Sequence, residues 1–478
     1  MIHGEKGKSV TVAAGLAIAA AVMGGIASRT WGAERVEPRA GTARAARGDK
    51  AAPQAKEDPK PRQASPGGMF DTPERTGVYF ATGVKVPVEV KWKLRVRGRT
   101  STAPVVRDGR VYLGDILGIY CLKLDTGEEV WRSDYKCPLP GSPTVANGVL
   151  YAYVTNRETP GEVRPWYRYL VALDADSGKE LWKIEAPAYS PFPVAGRGVL
   201  YFGAGDQALY CVSAKTGREL WKKPSLYMWD SRVVYTPNRV YATVNGGMTA
   251  LNPRNGKEIW SRQKRGPGSG FSPVVNGRIF VAYANDTLSP QSWLEALDAA
   301  TGEKLWSFTP DGWVTMDPVA WDGNVFFGTM NLSSDPSRKS GDFYVLDAET
   351  GKLKWQFHSP EGVFWLSPAV ADGVVYVLTH DSLLRAFDVS DGTLLWQFQD
   401  ERPWFSMPYR RTPYLQAPAV ADGFLLIRAC EALYALGPAR TEVRPGDAPQ
   451  EPQPEPSSPQ SAPPRPDASR PSDKAPSR

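Results

Sequence analysis

The chain has 478 residues, including 45 Gly and 43 Pro, and its formal net charge is +6. Its length suits about three ordinary domains or one large β architecture with tails. The positive balance is small and spread along the chain, so nucleic acid is not indicated as a partner. The sequence holds only three His, and no metal site is predicted from them.

The first segment of the chain combines basic residues with an apolar run. Lys6 and Lys8 precede residues 10–27, which are rich in Ala and Val. The run is longer than an ordinary secretory core and shorter than an ordinary spanning helix. Residues 1–31 are therefore predicted to be either a removed signal peptide or a membrane anchor, and both alternatives stay open. Either one predicts a periplasmic or other extracytoplasmic protein that meets a membrane only through this segment.

Two stretches of biased composition flank the centre of the chain. Residues 32–66 are rich in Ala, Arg, Pro and Lys, which predicts a disordered linker. Residues 438–478 contain 12 Pro in 41 positions, which predicts a disordered, extended tail. The folded domain is expected to span residues 67–437.

The central part repeats a motif that ends in tryptophan. A Leu-Asp pair, a Thr-Gly type turn and a Trp follow one another, as from Leu173 to Trp182. The repeat tryptophans lie 39–51 positions apart and are predicted to be structural: Trp92, Trp131, Trp182, Trp221, Trp260, Trp306, Trp355 and Trp396. A second block with a Pro-Val strand, an Asp-Gly turn and a Val-Tyr strand follows each of them. Repeats of this length must be recognised before any fold is assigned.

Each repeat predicts four short strands joined as hairpins, because Gly supplies positive φ at the turns. Eight such units close radially and leave no long open edge. The fold is therefore predicted to be all-β, an eight-bladed β-propeller of four-stranded antiparallel blades. The last repeat ends at Leu436 without a Trp strand, and the first Trp strand, around Trp92, lacks a preceding half-motif. The N-terminal strand is thus expected to close the ring.

These residues resemble the PQQ-like eight-bladed propeller repeat family, in which a motif A-x-D-x-x-T-G-x-x-x-W docks tryptophan. The segments 172–182, 296–306 and 386–396 match it closely. The resemblance implies either quinone-dependent dehydrogenases or non-catalytic propellers such as the outer-membrane β-barrel assembly lipoprotein, and the present repeat is nearest in kind to the second branch. The fold alone does not choose between them.

The dehydrogenases of this family hold PQQ on the channel axis, beside a disulfide between adjacent cysteines and a calcium ion. The four cysteines here are Cys121, Cys137, Cys211 and Cys430, and no two are adjacent. They are expected to be buried free thiols or to pair in one of three connectivities. Neither PQQ nor calcium is expected, and no catalytic, cofactor-binding or metal-binding residue is predicted.

One face of the predicted ring collects the connections between blades and those between the second and third strands of each blade. Three insertions, 155–168, 285–293 and 330–342, lengthen these connections, so we call it the insertion-bearing face. The Asp-Gly and Thr-Gly turns lie on the opposite turn face. Aromatic residues and arginine are typical of protein-binding hot spots. The predicted partner-binding residues are Trp166, Tyr189, Trp229, Trp293, Trp313, Trp365, Trp404, Phe405, Arg410 and Tyr414.

Three explanations for these side chains stay open: they pack the funnel between blades, they form a binding rim, or they line a small-ligand pocket. The sequence favours a non-enzymatic scaffold that binds a protein or peptide of the cell envelope. Nucleic acid is not expected as a partner, because the net positive charge is small. A role in outer-membrane protein assembly and a monomeric state are expected. The alternative is a PQQ-dependent quinoprotein dehydrogenase.

Overall fold

The computed structural model of the protein describes residues 78–79, 81–96, 103–115, 117–135, 142–154, 167–188, 193–204, 206–224, 233–244, 247–262, 268–284, 292–332, 339–360, 362, 364, 366–379, 383–399, 417–429 and 432–439. Every regular element in these ranges is a β-strand. Within the same ranges there is no helix of the length and apolar character needed to cross a membrane.

Two strands precede the first blade: β1 (Val78–Tyr79) and β2 (Val88–Arg95). Blades 1 to 4 follow in chain order. Blade 1 contains β3 (Val105–Arg107), β4 (Arg110–Gly114), β5 (Ile119–Lys123) and β6 (Glu129–Ser133). Blade 2 contains β7 (Thr144–Ala146), β8 (Val149–Val154), β9 (Tyr167–Asp174) and β10 (Glu180–Ala188). Blade 3 contains β11 (Val194–Ala195), β12 (Val199–Ala204), β13 (Ala208–Ser213) and β14 (Glu219–Pro224). Blade 4 contains β15 (Val233–Thr236), β16 (Arg239–Val244), β17 (Gly247–Leu251) and β18 (Glu258–Arg262).

Blades 5 to 8 complete the ring. Blade 5 contains β19 (Gly268–Val275), β20 (Arg278–Ala284), β21 (Ser292–Asp298) and β22 (Lys304–Phe308). Blade 6 contains β23 (Trp313–Val314), β24 (Val319–Trp321), β25 (Asn324–Leu332), β26 (Lys339–Asp347) and β27 (Leu353–Ser359). Blade 7 contains β28 (Ala369–Ala371), β29 (Val374–Leu378), β30 (Leu384–Asp388) and β31 (Leu394–Phe398). Blade 8 contains β32 (Ala419–Ala421), β33 (Phe424–Ala429) and β34 (Ala432–Pro438).

The sheet order confirms the predicted propeller. Eight sheets each hold one four-stranded antiparallel blade, with the Pro-Val strand at the inner edge and the Trp strand at the outer edge. The first two strands of a blade meet in tight turns such as Asp108-Gly109, where φ is 51° and 71°. Two consecutive positive φ angles fit the type I′ turn, whose twist matches that of the paired strands.

The repeat tryptophans join neighbouring blades. Each indole Nε1 donates a hydrogen bond to a backbone carbonyl oxygen beyond its own blade, over 2.8–3.2 Å. The indole ring of each of these tryptophans except Trp396 also covers the turn glycine of the next blade. A Cβ atom on Gly392 would lie 2.6 Å from the Trp355 ring, so this turn needs glycine both for its space and for its positive φ.

The N-terminal strand closes the ring as predicted. β2 pairs antiparallel with β34, with Val90 opposite Leu436 and Lys93 opposite Tyr434. Trp396 of blade 7 donates to the carbonyl oxygen of Val84 at 2.9 Å, just before β2 begins. The outer strand of blade 8 and the docking carbonyl for blade 7 therefore come from one N-terminal segment.

The apolar core lies between adjacent blades. At the joint of blades 1 and 2, for example, Cys121 packs among Val105, Val145 and Leu150. Cys121 and Cys211 are buried free thiols, and burial raises the pKa of both, that of Cys211 to about 12. Both are thus protonated core residues. Cys137 and Cys430 lie outside the described residues.

Candidate functional site

The described residues include two of the ten predicted partner-binding residues, Trp293 and Trp313. The other eight lie outside the described residues: Trp166, Tyr189, Trp229, Trp365, Trp404, Phe405, Arg410 and Tyr414. Their role in binding stays a prediction. The geometry of the insertion-bearing face is therefore built from blades 5 and 6, where the description is most continuous.

The connection from blade 5 to blade 6 is held rigidly. Val314 N donates to Ser292 Oγ at 2.8 Å, and the same hydroxyl donates to Gly312 O at 2.9 Å. Ser292 is 1% exposed and stands at the start of β21. The adjacent Trp313 pairs with Met330 of β25. Trp313 is thus a half-buried ring on a segment that two blades fix in place.

Trp293 belongs to a different joint. Its ring stacks on Tyr283 with centroids 5.3 Å apart and packs against the cluster that contains Tyr241 and Met248 of blade 4. Burial, together with the nearby Glu295 carboxylate, raises the pKa of Tyr283 to about 12. The structure brings the two predicted residues to the same face of blade 5 but to opposite sides of the blade, without ring contact between them.

Both ends of the insertion at residues 330–342 belong to strands, because β25 continues to Leu332 and β26 begins at Lys339. β25 and β26 each have 9 residues, against 5 for β4 and β5. The extension packs under Phe364, which is fully buried. A Cβ atom on Gly328 would lie 2.3 Å from Phe364. Gly328 and Gly341 allow this close packing, so the lengthened strands β25 and β26 add surface to the face.

A polar chain crosses the extended hairpin. Asn331 Nδ2 donates to Asp342 Oδ2 at 2.8 Å, and His358 Nδ1 lies 2.8 Å from Asp342 Oδ1. The Asp342 side chain is 9% exposed, whereas that of His358 is 54% exposed. The imidazole therefore presents its Nε2 edge to solvent. In the described part of the chain no hydroxyl or thiol is hydrogen-bonded to His358, so the geometry does not form a nucleophile-base pair.

Other acidic residues on this face are neutralised locally. In blade 3, burial opposes ionisation of Asp206, but hydrogen bonds from Lys222 and Tyr210 outweigh it and lower the pKa of Asp206. In blade 1, Asp115 accepts hydrogen bonds from Leu117 N, Gly118 N and the Tyr120 hydroxyl. Among the described residues no group of three or more His, Cys, Asp or Glu is placed to hold a metal ion.

The central channel contains a strand of the chain itself. β1 runs parallel to the inner strand β28, with Val78 opposite Val370 and Tyr79 opposite Ala371. It also contacts the inner strands β24 and β32 of blades 6 and 8. Val78 is 3% exposed and packs with Val319, Met316 and Val370. The channel is therefore occupied beside three of its eight inner strands.

The described residues do not fit a quinone with its calcium ion. Calcium takes about six to eight oxygen ligands, and the described carboxylates do not converge in that way. No two cysteines are adjacent anywhere in the sequence. β1 also takes up part of the axial space. We therefore derive no reaction step through such a cofactor.

The match to known families agrees with this architecture. The family model described as outer membrane protein assembly factor BamB matches residues 90–164, 167–282, 244–337 and 290–426. The chain belongs to this family of PQQ-like propellers. The matched segments overlap and together cover nearly all of the ring from β2 to β33, so membership concerns the whole propeller.

Curated relatives of this BamB-type propeller include proteins of several kinds, among them a dehydrogenase, a tetrathionate hydrolase and an assembly factor. Polyvinylalcohol dehydrogenase of Sphingopyxis sp. (strain 113P3) is 22% identical over 409 residues, covering 69% of this chain and 59% of that protein. Outer membrane protein assembly factor BamB of Legionella pneumophila is 26% identical over 216 residues, covering 42% of this chain and 51% of that protein. The chain thus spans between half and two thirds of each relative's length.

Among solved structures, BamB from Moraxella catarrhalis superposes with a TM-score of 0.50 at 14% identity, covering 73% of this chain and 98% of that one. At this identity the similarity shows the fold. The extent of the match indicates that the ring of the present BamB-type propeller corresponds to nearly the whole of that protein.

Sequence reasoning missed β1 and the Asn331-Asp342-His358 chain. β1 is a dipeptide that pairs with a strand almost 300 positions later, and no periodicity reveals so short an element. The polar chain depends on the register of an extended hairpin. The one available signal was the position of Asn331 and Asp342 in an insertion, whereas His358 lies in the following Trp strand.

Proposed function

We propose that this protein is a non-enzymatic propeller scaffold of the cell envelope that binds a protein or peptide on its insertion-bearing face. The observation that carries the proposal is the position of β1. The chain's own strand lies on the channel side of blade 7, where it meets the inner strands of three blades. An axial cofactor would have to share this space, whereas a partner on the face would not.

The character of the face supports protein binding. Several of its described charges are held in local pairs, such as Arg262 with Glu295 at 3.0 Å. Paired charges lose less on desolvation by a partner than isolated ones. Trp313 lies on a pinned segment, and a rigid aromatic side chain gives contact area at low entropic cost. The remaining predicted aromatic residues would add to the same surface.

The family supports a location in the cell envelope. The relatives include a protein named as an outer membrane protein assembly factor, and the N-terminal apolar run favours export. We therefore propose an extracytoplasmic monomer, released or anchored through residues 1–31, that takes part in the assembly of envelope proteins.

Site-specific photo-crosslinking in envelope preparations tests this function. A photoreactive phenylalanine analogue replaces Trp229, Trp365 or Trp404 in turn, and Glu128 on the turn face serves as the matched control. We expect discrete protein adducts at the three aromatic positions and none at Glu128, whose side chain is 63% exposed. Equal labelling at all four positions would contradict the assignment of the face.

The second candidate, a quinoprotein dehydrogenase, is favoured by the similarity to polyvinylalcohol dehydrogenase. Titration of the purified protein with PQQ and Ca²⁺, followed by calorimetry and by dye reduction with alcohols and sugars, separates the two. We expect neither saturable binding nor dye reduction. Tight stoichiometric binding with turnover would replace the scaffold function by the dehydrogenase.

A further inference from the structure

We infer that the outer strand of blade 7, β31, is an edge to which a partner protein adds an uncharged, extended strand by β-pairing. This surface lies on the circumference of the ring, away from the insertion-bearing face, so the inference goes beyond the proposed function. β31 is the last strand in the order of its sheet. A strand in that position offers backbone hydrogen-bonding groups to another chain.

The outer strands of the eight blades differ in charge. Proteins protect exposed edges with charged side chains, above all Lys. Seven of the eight outer strands carry at least one Lys or Arg: Lys91 in β2, Arg132 in β6, Lys183 in β10, Lys222 in β14, Arg262 in β18, Lys304 in β22 and Lys354 in β27. β31 reads Leu-Leu-Trp-Gln-Phe and contains no charged residue. It is the one outer strand of the ring without this protection.

The difference arises at a defined position. Two residues before the repeat Trp, five blades place a charged residue: Glu129, Glu180, Glu219, Glu258 and Lys304. Blades 6, 7 and 8 place Leu353, Leu394 and Val90 there, which are 46%, 43% and 39% exposed. The next residue is Lys354 in blade 6 and Lys91 in blade 8, whereas in blade 7 it is Leu395. Exposed aliphatic residues also occur on other outer strands, such as Leu305 at 47%. What distinguishes β31 is therefore an exposed apolar residue without a neighbouring charge in the strand.

The surroundings favour a partner strand over a second copy of this chain. The neighbouring outer strands carry a net positive charge, from Lys354 in β27 and from Lys91, Lys93 and Arg95 against Glu89 in β2. Lys91 pairs with Glu89 and Lys354 with Asp347. Two copies joined through β31 would bring these like charges together, which opposes association. A single extended strand meets only the uncharged edge. Strands of β-barrel membrane proteins, which alternate apolar and polar residues, have this character.

A reciprocal exchange between two outer strands tests the inference. β22 reads Lys-Leu-Trp-Ser-Phe, so Leu394→Lys makes β31 resemble β22, and Lys304→Leu makes β22 resemble β31. The probe is a fluorescein-labelled ten-residue peptide that alternates Val with Thr or Gln. Its anisotropy is titrated with the full-length protein and with each variant.

Binding of one peptide to the unmodified protein is expected. Leu394→Lys weakens it by at least about tenfold, because strand addition would desolvate an unpaired ammonium group. Lys304→Leu raises the stoichiometry to two peptides. Gln397→Lys weakens binding in the same way, whereas Ser307→Lys, at the equivalent exposed position of β22, leaves it unchanged. Far-UV circular dichroism verifies folding, and both exchanges use residue types that other blades already carry.

Several outcomes would overturn the inference. It fails if the unmodified protein does not bind the peptide, or if Leu394→Lys changes the affinity by less than twofold. A concentration-dependent dimer that Leu394→Lys abolishes would assign the edge to a second copy instead. The proposed function is tested separately, since crosslinking at Trp229 and Trp404 does not depend on β31.

Discussion

All eight joints between blades contain a hydrogen bond from a tryptophan Nε1 to a backbone carbonyl oxygen. The joint between blades 7 and 8 differs from the other seven in the segment of chain that supplies this carbonyl. In seven joints the tryptophan donates to a carbonyl oxygen in the Leu-Asp region of the next blade, as Trp306 does to Ala348. At the closing joint Trp396 donates to Val84, which lies in a segment that enters from the N-terminus. The docking geometry is therefore preserved while the chain connection that supplies it changes.

The comparison also shows what the closing joint lacks. In the seven regular joints the indole ring of the tryptophan covers a turn glycine of the next blade. Blade 8 has no such turn, because β34 and β2 are separate segments of the chain. A tyrosine hydroxyl supports the docking carbonyl here as it does at three regular joints: Tyr376 donates to Val84 O at 3.3 Å, and Tyr151, Tyr201 and Tyr241 donate to the carbonyl oxygens that accept from the regular tryptophans. At the closing joint Val84 N also donates to the Tyr376 hydroxyl. The regular joints thus rest on a local turn and the closing joint on long-range contacts.

Removal of the closing tryptophan should have the largest effect. Trp396 is 5% exposed, and Trp396→Ala should lower the free energy of unfolding by about 3–5 kcal/mol. Trp306→Ala, at a regular joint where the ring is half-buried, should cost less. Urea denaturation followed by circular dichroism measures both. A larger loss for Trp306→Ala would show that the closing joint is the weaker of the two.

Substitution of the turn glycine should have an intermediate effect. Gly392 and Gly423 share a φ of 78°, but only Gly392 faces a ring. Gly423→Ala should cost about 1–2 kcal/mol through backbone strain, and Gly392→Ala about 1–3 kcal/mol more through contact with Trp355. Equal unfolding midpoints for the two variants would contradict the role of this contact.

Acid should weaken the turns of the regular joints slightly. Hydrogen bonds from the turn hydroxyl and backbone of Thr350 lower the pKa of Asp347, and those from Ser390 lower the pKa of Asp388. A carboxyl with a lowered folded-state pKa stabilises the fold fully above its ordinary value of 3.8 and loses this contribution as the pH falls below it.

The measurement compares urea midpoints between pH 5 and pH 2.5 in the unmodified protein and in an Asp347→Asn, Asp388→Asn variant. The variant should lose less stability across this range. The same slope in both proteins would mean that these turns do not contribute to acid sensitivity. The docking segment of the closing joint, residues 84–87, contains no carboxyl of its own, and its Lys85 lies 3.4 Å from Asp372 Oδ2 of blade 7.

Most of the propeller could be predicted from the sequence because each repeat contains the residues that make its stabilising contacts, a tryptophan and a turn glycine. Trp92 without a preceding half-motif and Leu436 without a following Trp strand together indicated how the ring closes. The channel strand could not be predicted, since two residues carry no periodic signal and parallel pairing with Val370 is set by the finished ring.

The candidate site was less predictable for a related reason. Repeat positions recur, so their environment can be inferred from other copies, whereas Trp293 and Trp313 occur once each. Nothing in the sequence indicates that Ser292 fixes the segment next to Trp313 or that Tyr283 stacks on Trp293. Such contacts depend on the lengths and registers of single connections.

The pairing of residue 93 with residue 434 has a consequence for biosynthesis. The eighth fan of the ring cannot form until almost the entire chain has been made, because its outer strand is among the first segments produced and its inner strands are the last. Until then β2 cannot pair with β34. Contacts between residues so distant in sequence also form slowly. Synthesis must therefore be almost complete before β2 and β34 can pair and the ring can close.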